Sequence, residues 1–227
     1  MSATCVKRFF MPRNNKRPWA NRSEPARRAA FRPLRRVLIL CEDEKSSCDY
    51  FKAFPIDRRR IRILTVGTGY NTDSLIKEAV RRKEEAEKSG EPFNEVYCVF
   101  DRDSFPAEDF NQAFHRAEKH GIRPMWANEA FELWYLLHFD LITTAMPRAD
   151  YADRLKAKLK VTYRKNDATM YEKLKDRQTR AFQFSAGLNR HWAELAGGCN
   201  PESCNPSTNV AGLVRFLNEL IELGERA

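Results

Sequence analysis

The sequence predicts an α/β fold, in which a mostly parallel four-stranded sheet is flanked by helices and followed by a helical C-terminal region. Two observations support this fold class. Over residues 37–139, short strand-forming runs alternate with longer amphipathic segments, which is the βαβ pattern of a parallel sheet. From about residue 150 onward, only helical spacing of apolar residues continues. We therefore divide the chain into an arm (residues 1–35), an α/β core (36–145) and a helical C-terminal region packed on the core (146–227).

The elements of the core follow one another in order along the chain. Each strand is a short run of mostly apolar, often β-branched residues. Each helix places its apolar residues on one face, and Thr72 is the expected cap of the longest one. The predicted strands are residues 37–41, 61–66, 95–100 and 122–127. The predicted helices are residues 45–54, 72–89, 107–120, 131–139, 151–160, 169–175, 180–195 and 210–223.

Composition excludes two classes of protein. With 42% hydrophobic residues, the chain has enough apolar material for a sizeable core, so it is not an intrinsically disordered protein. It contains no apolar run near the roughly 20 residues that a membrane-spanning helix needs. The basic N-terminus also lacks the apolar segment of a signal peptide, so we expect a reducing, cytoplasmic location. The sequence leaves open the role of the Cys199/Cys204 pair.

The net charge of +9 is concentrated in the N-terminal arm. Residues 1–36 hold eleven Lys and Arg against one acidic residue, whereas the rest of the chain is close to neutral. Prolines interrupt this arm and no helical or strand period is sustained there. We expect an extended arm that contacts nucleic acid, for example through Arg27 and Arg28, or docks on an acidic partner surface.

Acidic residues follow the predicted strands at the edge where parallel sheets bind ligands. Glu42 comes directly after the first strand, and Asp101 and Asp103 follow the third. Carboxylates this close repel each other, and Mg²⁺ or Mn²⁺ would remove the repulsion through hard oxygen ligands. Glu132, in the helix after the fourth strand, is a further candidate ligand, with a structural salt bridge as the alternative. We therefore expect a metal site formed by Glu42, Asp101, Asp103 and Glu132.

Basic residues near these acids are candidates for phosphate binding. Lys45 lies three residues after Glu42 at a helix start, where it could neutralise a transition-state phosphate. Glu42 could be a general base, so the expected catalytic residues are Glu42, Asp101, Asp103 and Lys45. Two basic clusters are either solvated surfaces or phosphate contacts: Arg58, Arg59 and Arg60, and Arg81 and Arg82.

Several motifs together resemble the RloB-like family, which is related to the second component of the AbiL phage-abortive system and carries a Toprim-like domain. They are residues 38–46 (LILCEDEKS), 69–72 (GYNT), 99–104 (VFDRDS), 128–139 (NEAFELWYLLHF) and 205–210 (NPSTNV). The family pattern usually has Gly after the first Glu, where this chain has Asp43. The resemblance covers roughly residues 36–220.

The resemblance implies a Toprim-like core and a metal-dependent nuclease, active on RNA or DNA. It also implies that the protein is an effector of anti-phage abortive infection, working with an ATPase encoded nearby. Two alternatives stay open: a nucleotidyl-transfer enzyme, and a non-catalytic adaptor that binds nucleic acid or the ATPase. The sequence does not decide whether the chain forms a homo-oligomer.

Overall fold

The computed structural model describes residues 35–43, 45–58, 61–69, 71–102, 107–160 and 163–225. Predictions on residues 1–34, and those on Arg59, Arg60 and Asp103, therefore lie outside the described residues. Within the described ranges, no helix is long and apolar enough to span a membrane.

One mostly parallel sheet organises the fold, with the strand order β2-β1-β3-β4-β5. The strands are β1 (Arg35–Cys41), β2 (Ile61–Gly67), β3 (Glu95–Asp101), β4 (Arg123–Asn128) and β5 (Ser207–Thr208). The first four pair in parallel, as the βαβ pattern predicts. The prediction of four strands is incomplete, because β5 adds a short fifth strand antiparallel to β4.

The strands β1 and β3 are interior strands of the sheet. β1 pairs with both β2 and β3, and β3 pairs on its other side with β4. Side chains from residue 37 to 41 and from 96 to 100 are at most 2% exposed. Such burial on both faces explains why these runs are apolar throughout rather than alternating.

Eight α-helices cover the described part of the sheet. They are α1 (Ser46–Lys52), α2 (Thr72–Lys88), α3 (Ala107–Lys119), α4 (Glu132–Leu136), α5 (Arg148–Leu159), α6 (Met170–Leu174), α7 (Gln178–Ala196) and α8 (Val210–Glu225), with a 3₁₀ turn at Lys175–Arg177. Asn71, not Thr72, caps α2, because the Asn71 side chain accepts a hydrogen bond from the Ser74 backbone N–H at 3.0 Å. The apolar run at residues 131–139 forms a helix of only five residues.

The sheet separates two layers of apolar packing. Leu38 and Leu40 face a cluster that includes residues of α2 and α3. Val37, Ile39 and Cys41 face a larger cluster that includes α1, α4 and the C-terminal helices. The helices after residue 146 therefore complete the hydrophobic core on one side of the sheet.

Candidate active site

Glu42 and Asp101 lie side by side at the carboxyl ends of β1 and β3. The Glu42 backbone N–H donates to the Val99 carbonyl at 2.9 Å, which continues the parallel pairing one residue past β1. The Asp101 backbone N–H then donates to Glu42 Oε2 at 3.2 Å. Adjacent interior strands thus bring two acidic residues, 59 residues apart in sequence, to one cavity.

Arg148, which the sequence analysis did not predict, is a third charged residue at this site. It is the first residue of α5, and its Nη2 lies 2.5 Å from Asp101 Oδ2. The Asp101 side chain is only 15% exposed, so the ion pair is largely shielded from water. No local motif surrounds Arg148 in the sequence; its place at the site depends on how the C-terminal region packs.

Asp43 has a local structural role in the turn between β1 and α1. Its carboxylate accepts hydrogen bonds from the Ser46 hydroxyl at 2.5 Å and from the Ser47 backbone N–H at 3.1 Å. The Ser47 hydroxyl donates to it as well, at 2.7 Å. A carboxylate placed this way satisfies hydrogen-bond donors at the start of α1 and interacts favourably with the helix dipole. Asp43 therefore stabilises the turn that follows Glu42.

Two cavities open beside these residues. The smaller, of about 160 Å³, contains both carboxylates of the pair, and the larger, of about 490 Å³, is lined by basic and amide side chains. Asp43 and Lys165 line both, so the cavities adjoin. The smaller is lined by Glu42, Asp43, Ser47, Val99, Phe100, Asp101, Arg148 and Lys165. The larger is lined by Asp43, Lys45, Lys165 and Asn166.

Glu132 is buried and lines neither cavity, although its charge and that of Asp43 both act on Tyr163. The residue is 6% exposed, and its Oε1 accepts a hydrogen bond from the Tyr163 hydroxyl at 2.9 Å. Burial raises the pKa of Tyr163, and the Glu132 charge raises it further. Glu132 Oε2 has no hydrogen-bond partner among the described residues. The structure thus places Glu132 in a hydrogen-bonded pair with Tyr163, an arrangement that the sequence analysis did not foresee.

The predicted phosphate-binding residues separate into different surroundings. Lys45 is exposed and lines the larger cavity. Arg58 lines a different cavity, next to β2. Arg81 and Arg82 both form ion pairs with Glu78, at 2.7 Å and 2.6 Å. Hydrogen bonds from Arg81, followed by those from Arg82, lower the pKa of Glu78 to about 2 despite partial burial.

The donor chemistry of the acidic pair fits a hard divalent cation. Glu42 and Asp101 line one cavity at the sheet edge, and carboxylate oxygens are the ligand type that Mg²⁺ and Mn²⁺ prefer. Within the described ranges, no group of three His, Cys, Asp or Glu residues is arranged to hold a metal ion. The third predicted carboxylate, Asp103, lies outside those ranges. Of the predicted ligands that are described, Glu42 and Asp101 line one cavity and Glu132 does not.

Comparison with known proteins agrees with the motif resemblance. A family model described as RloB-like protein matches residues 37–217, which is most of the chain. The chain belongs to the RloB-like family. Its RloB-like region includes the acidic pair and the basic residues of both cavities, whereas the N-terminal arm lies outside the match. No curated protein and no solved structure matches the chain.

Proposed function

We propose that this RloB-like protein is a metal-dependent nuclease that hydrolyses phosphodiester bonds in RNA or DNA. The observation that carries the proposal is the pairing of Glu42 with Asp101 at the ends of two interior parallel strands. Ligand sites of open α/β sheets lie at this edge. Two partly buried acidic residues share an open cavity with basic residues. Such a cavity suits a metal cation and an anionic substrate together.

Each described residue of the site has a role in this proposal. Asp101 and Glu42 would hold Mg²⁺ or Mn²⁺ together with Asp103, and Glu42 could act instead as the general base toward water. When bound, such a metal activates water and stabilises the leaving oxygen of a phosphodiester. Lys45 lies in the adjoining cavity, where its ammonium would offset negative charge that develops on the phosphate.

Glu132 has an indirect role in this proposal, through its free oxygen and a water molecule rather than in one ligand group with Glu42 and Asp101. Its Oε1 is held by Tyr163, so only Oε2 remains available to a cation or to a water molecule. In this role Glu132 would act from outside the two cavities, since it lines neither of them. Its buried position gives the carboxylate little freedom to move, which favours a fixed contact over a mobile one.

The biological part of the proposal rests on family membership. We propose that the protein acts in the cytoplasm as the effector of an anti-phage abortive-infection system, together with an ATPase encoded nearby. The sequence has no G-x-x-x-x-G-K-[ST] phosphate-binding loop, so an ATP-driven step would come from that partner.

A cleavage assay tests the enzymatic proposal. The full-length protein is incubated with Mn²⁺ or Mg²⁺ and with tRNA, single-stranded DNA or duplex DNA, and the products are separated on denaturing gels. We expect metal-dependent cleavage of at least one substrate, lost in Asp101→Asn. Asp153→Asn is the matched control, since Asp153 is an exposed aspartate paired only with Lys156 of its own helix.

Three results would contradict the proposal. Equal products from wild type and Asp101→Asn would show that a contaminant or another site cleaves the substrate. Incorporation of labelled nucleotides without hydrolysis would favour nucleotidyl transfer. In cells, toxicity that survives Asp101→Asn while an ATPase complex persists would favour the adaptor alternative.

A further inference from the structure

Basic residues of the C-terminal region lie next to the acidic pair. Arg148 of α5 contacts Asp101 directly, and Lys165 lines the cavity that contains Glu42 and Asp101. Lys165 and Asn166 also line the larger cavity, opposite Lys45 of the β1–α1 turn. The helical region therefore supplies polar and basic groups to a site whose acids come from the sheet.

Lys165 and Lys45 line the same cavity, and neither has an anionic partner among the described residues. Other described lysines form ion pairs with nearby carboxylates, as Lys158 does with Asp140 at 2.5 Å and Lys173 with Asp167 at 2.5 Å. Neither the Lys45 nor the Lys165 ammonium has a hydrogen bond or ion pair within the described ranges, although Asp43 lines the same cavity. Two unpaired ammonium groups in one cavity leave positive charge available to an anionic ligand.

The segment that presents Lys165 is held at both ends. On one side, Tyr163 is 6% exposed and donates its hydroxyl proton to buried Glu132. On the other side, Asp167 accepts hydrogen bonds from the Thr169 backbone N–H at 2.9 Å and from Lys173 at 2.5 Å. Lys165 and Asn166 lie between these two anchors, so their backbone positions are fixed against the cavity.

The wall of the two cavities favours contact with a sugar–phosphate backbone over contact with bases. Phe100 is the sole aromatic residue among the described lining residues, and it is 2% exposed, so it offers no stacking face. Sequence-tolerant binding of single strands normally combines a basic groove with exposed aromatic side chains. Here the described wall contributes charged and polar groups without an exposed aromatic ring.

We propose that Lys165, with Lys45 and Arg148, forms a phosphate-binding subsite that holds the nucleic-acid backbone next to Glu42 and Asp101. This inference rests on the proposed function for its choice of ligand. Arg148 keeps its ion pair with Asp101 and adds positive charge to the lining of the smaller cavity. Lys165 binds the phosphate of a neighbouring nucleotide as a point charge, and Lys45 contacts the reacting phosphate. Recognition at this subsite is independent of base sequence.

Site-resolved lysine labelling tests the subsite directly. Full-length protein in EDTA is treated with an amine-acylating reagent, with and without a ten-nucleotide oligo(dT) or oligo(U), and labelling is quantified by peptide mass spectrometry. EDTA removes any contribution from metal, and the two oligonucleotides separate DNA from RNA. Lys88 is the internal control, because it ends α2 about 25 Å from the helix start by helical rise and has no described side-chain partner.

We expect either oligonucleotide to lower labelling of Lys165 several-fold and to leave Lys88 unchanged. In the same EDTA buffer, Lys165→Met should weaken binding about tenfold, the effect of one lost charge-assisted hydrogen bond, whereas Lys88→Met should not. Equal protection of Lys165 and Lys88, or equal affinities of the two variants, would overturn the inference.

Cleavage measured in parallel with Mn²⁺ separates this inference from the proposed function. Protection of Lys165 without any cleavage would refute the proposed nuclease activity and support the phosphate subsite. Cleavage without protection, and with an unchanged KM in Lys165→Met, would leave the nuclease standing and sink the subsite. An increased KM with a nearly unchanged kcat is the result we expect for Lys165→Met.

Discussion

Replacing Tyr163 with Phe tests how much the Glu132–Tyr163 hydrogen bond contributes to the free energy of unfolding. The substitution keeps the ring and removes the hydroxyl that donates to Glu132 Oε1 at 2.9 Å. Since Oε2 has no partner among the described residues, the buried carboxylate would then lose its one described hydrogen bond. A hydrogen bond to a charged group contributes about 1.5–3 kcal/mol, so we expect the free energy of unfolding to fall by about 2–3 kcal/mol. For a chain of this size, that corresponds to a decrease in Tm of roughly 5–10 °C.

Tyr135→Phe is the matched control for this measurement. Tyr135 is equally buried, but its hydroxyl donates to the neutral Ser46 carbonyl at 3.0 Å, so its loss should cost only about 1 kcal/mol. Both variants are unfolded in urea and analysed with a common m-value. A double-mutant cycle with Glu132→Gln isolates the pairwise energy. If Tyr163→Phe destabilises no more than Tyr135→Phe, the pair does not stabilise the site as described.

Three further predictions concern pH, the sheet edge and the arm. Burial lowers the pKa of His138 to about 4, and its Nδ1 contacts the Trp134 carbonyl. In the unfolded chain the His138 imidazole takes up a proton near pH 6.5, whereas in the folded protein it stays neutral down to about pH 4. The stability that the neutral, buried imidazole contributes is therefore fully present above about pH 6.5. It decreases by about 3 kcal/mol as the pH falls to 4. Urea unfolding at pH 5 and 7 should show His138→Gln to be less pH-sensitive than wild type; an equal pH dependence would contradict the assignment. Asn209→Ala should cost about 1–3 kcal/mol in the same assay, because it removes side-chain bonds to the Trp126 N–H and the Pro124 carbonyl; a loss below 0.5 kcal/mol would contradict this role, whereas Asn209→Asp should keep the first bond. Deleting residues 1–34 should weaken nucleic-acid binding and flatten its salt dependence, measured by fluorescence anisotropy, with thermal unfolding unchanged; an unfolded body would show instead that the arm belongs to the core.

The parallel sheet was predictable because its signals are local. Residues 37–41 and 96–100 are short apolar runs between helical segments, and a run apolar on both faces indicates an interior strand. The same topology places Glu42 and Asp101 together without any knowledge of side-chain contacts, since the carboxyl ends of parallel strands share one edge.

The features that were missed depend on long-range packing. β5 has two residues, too few to show a period, and it exists because the 207–209 segment supplies hydrogen bonds to the edge of β4. Residues 131–139 have the composition of a longer helix. The regular α-helix nevertheless ends at Leu136, and the backbone continues in turns. Arg148 and Lys165 meet the acids only after the C-terminal region folds on the core, and each was one basic residue among many in the sequence.

The measurement that most directly tests the central claim is a crystal structure of the full-length protein soaked with Mn²⁺, with anomalous data collected for the metal. We predict an anomalous peak bonded to the carboxylates of Glu42 and Asp101 at the ends of β1 and β3, absent from Asp101→Asn crystals treated in the same way. A fully soaked crystal with no peak at this pair, or with the metal bound elsewhere and unaffected by Asp101→Asn, would contradict the proposed metal-dependent site.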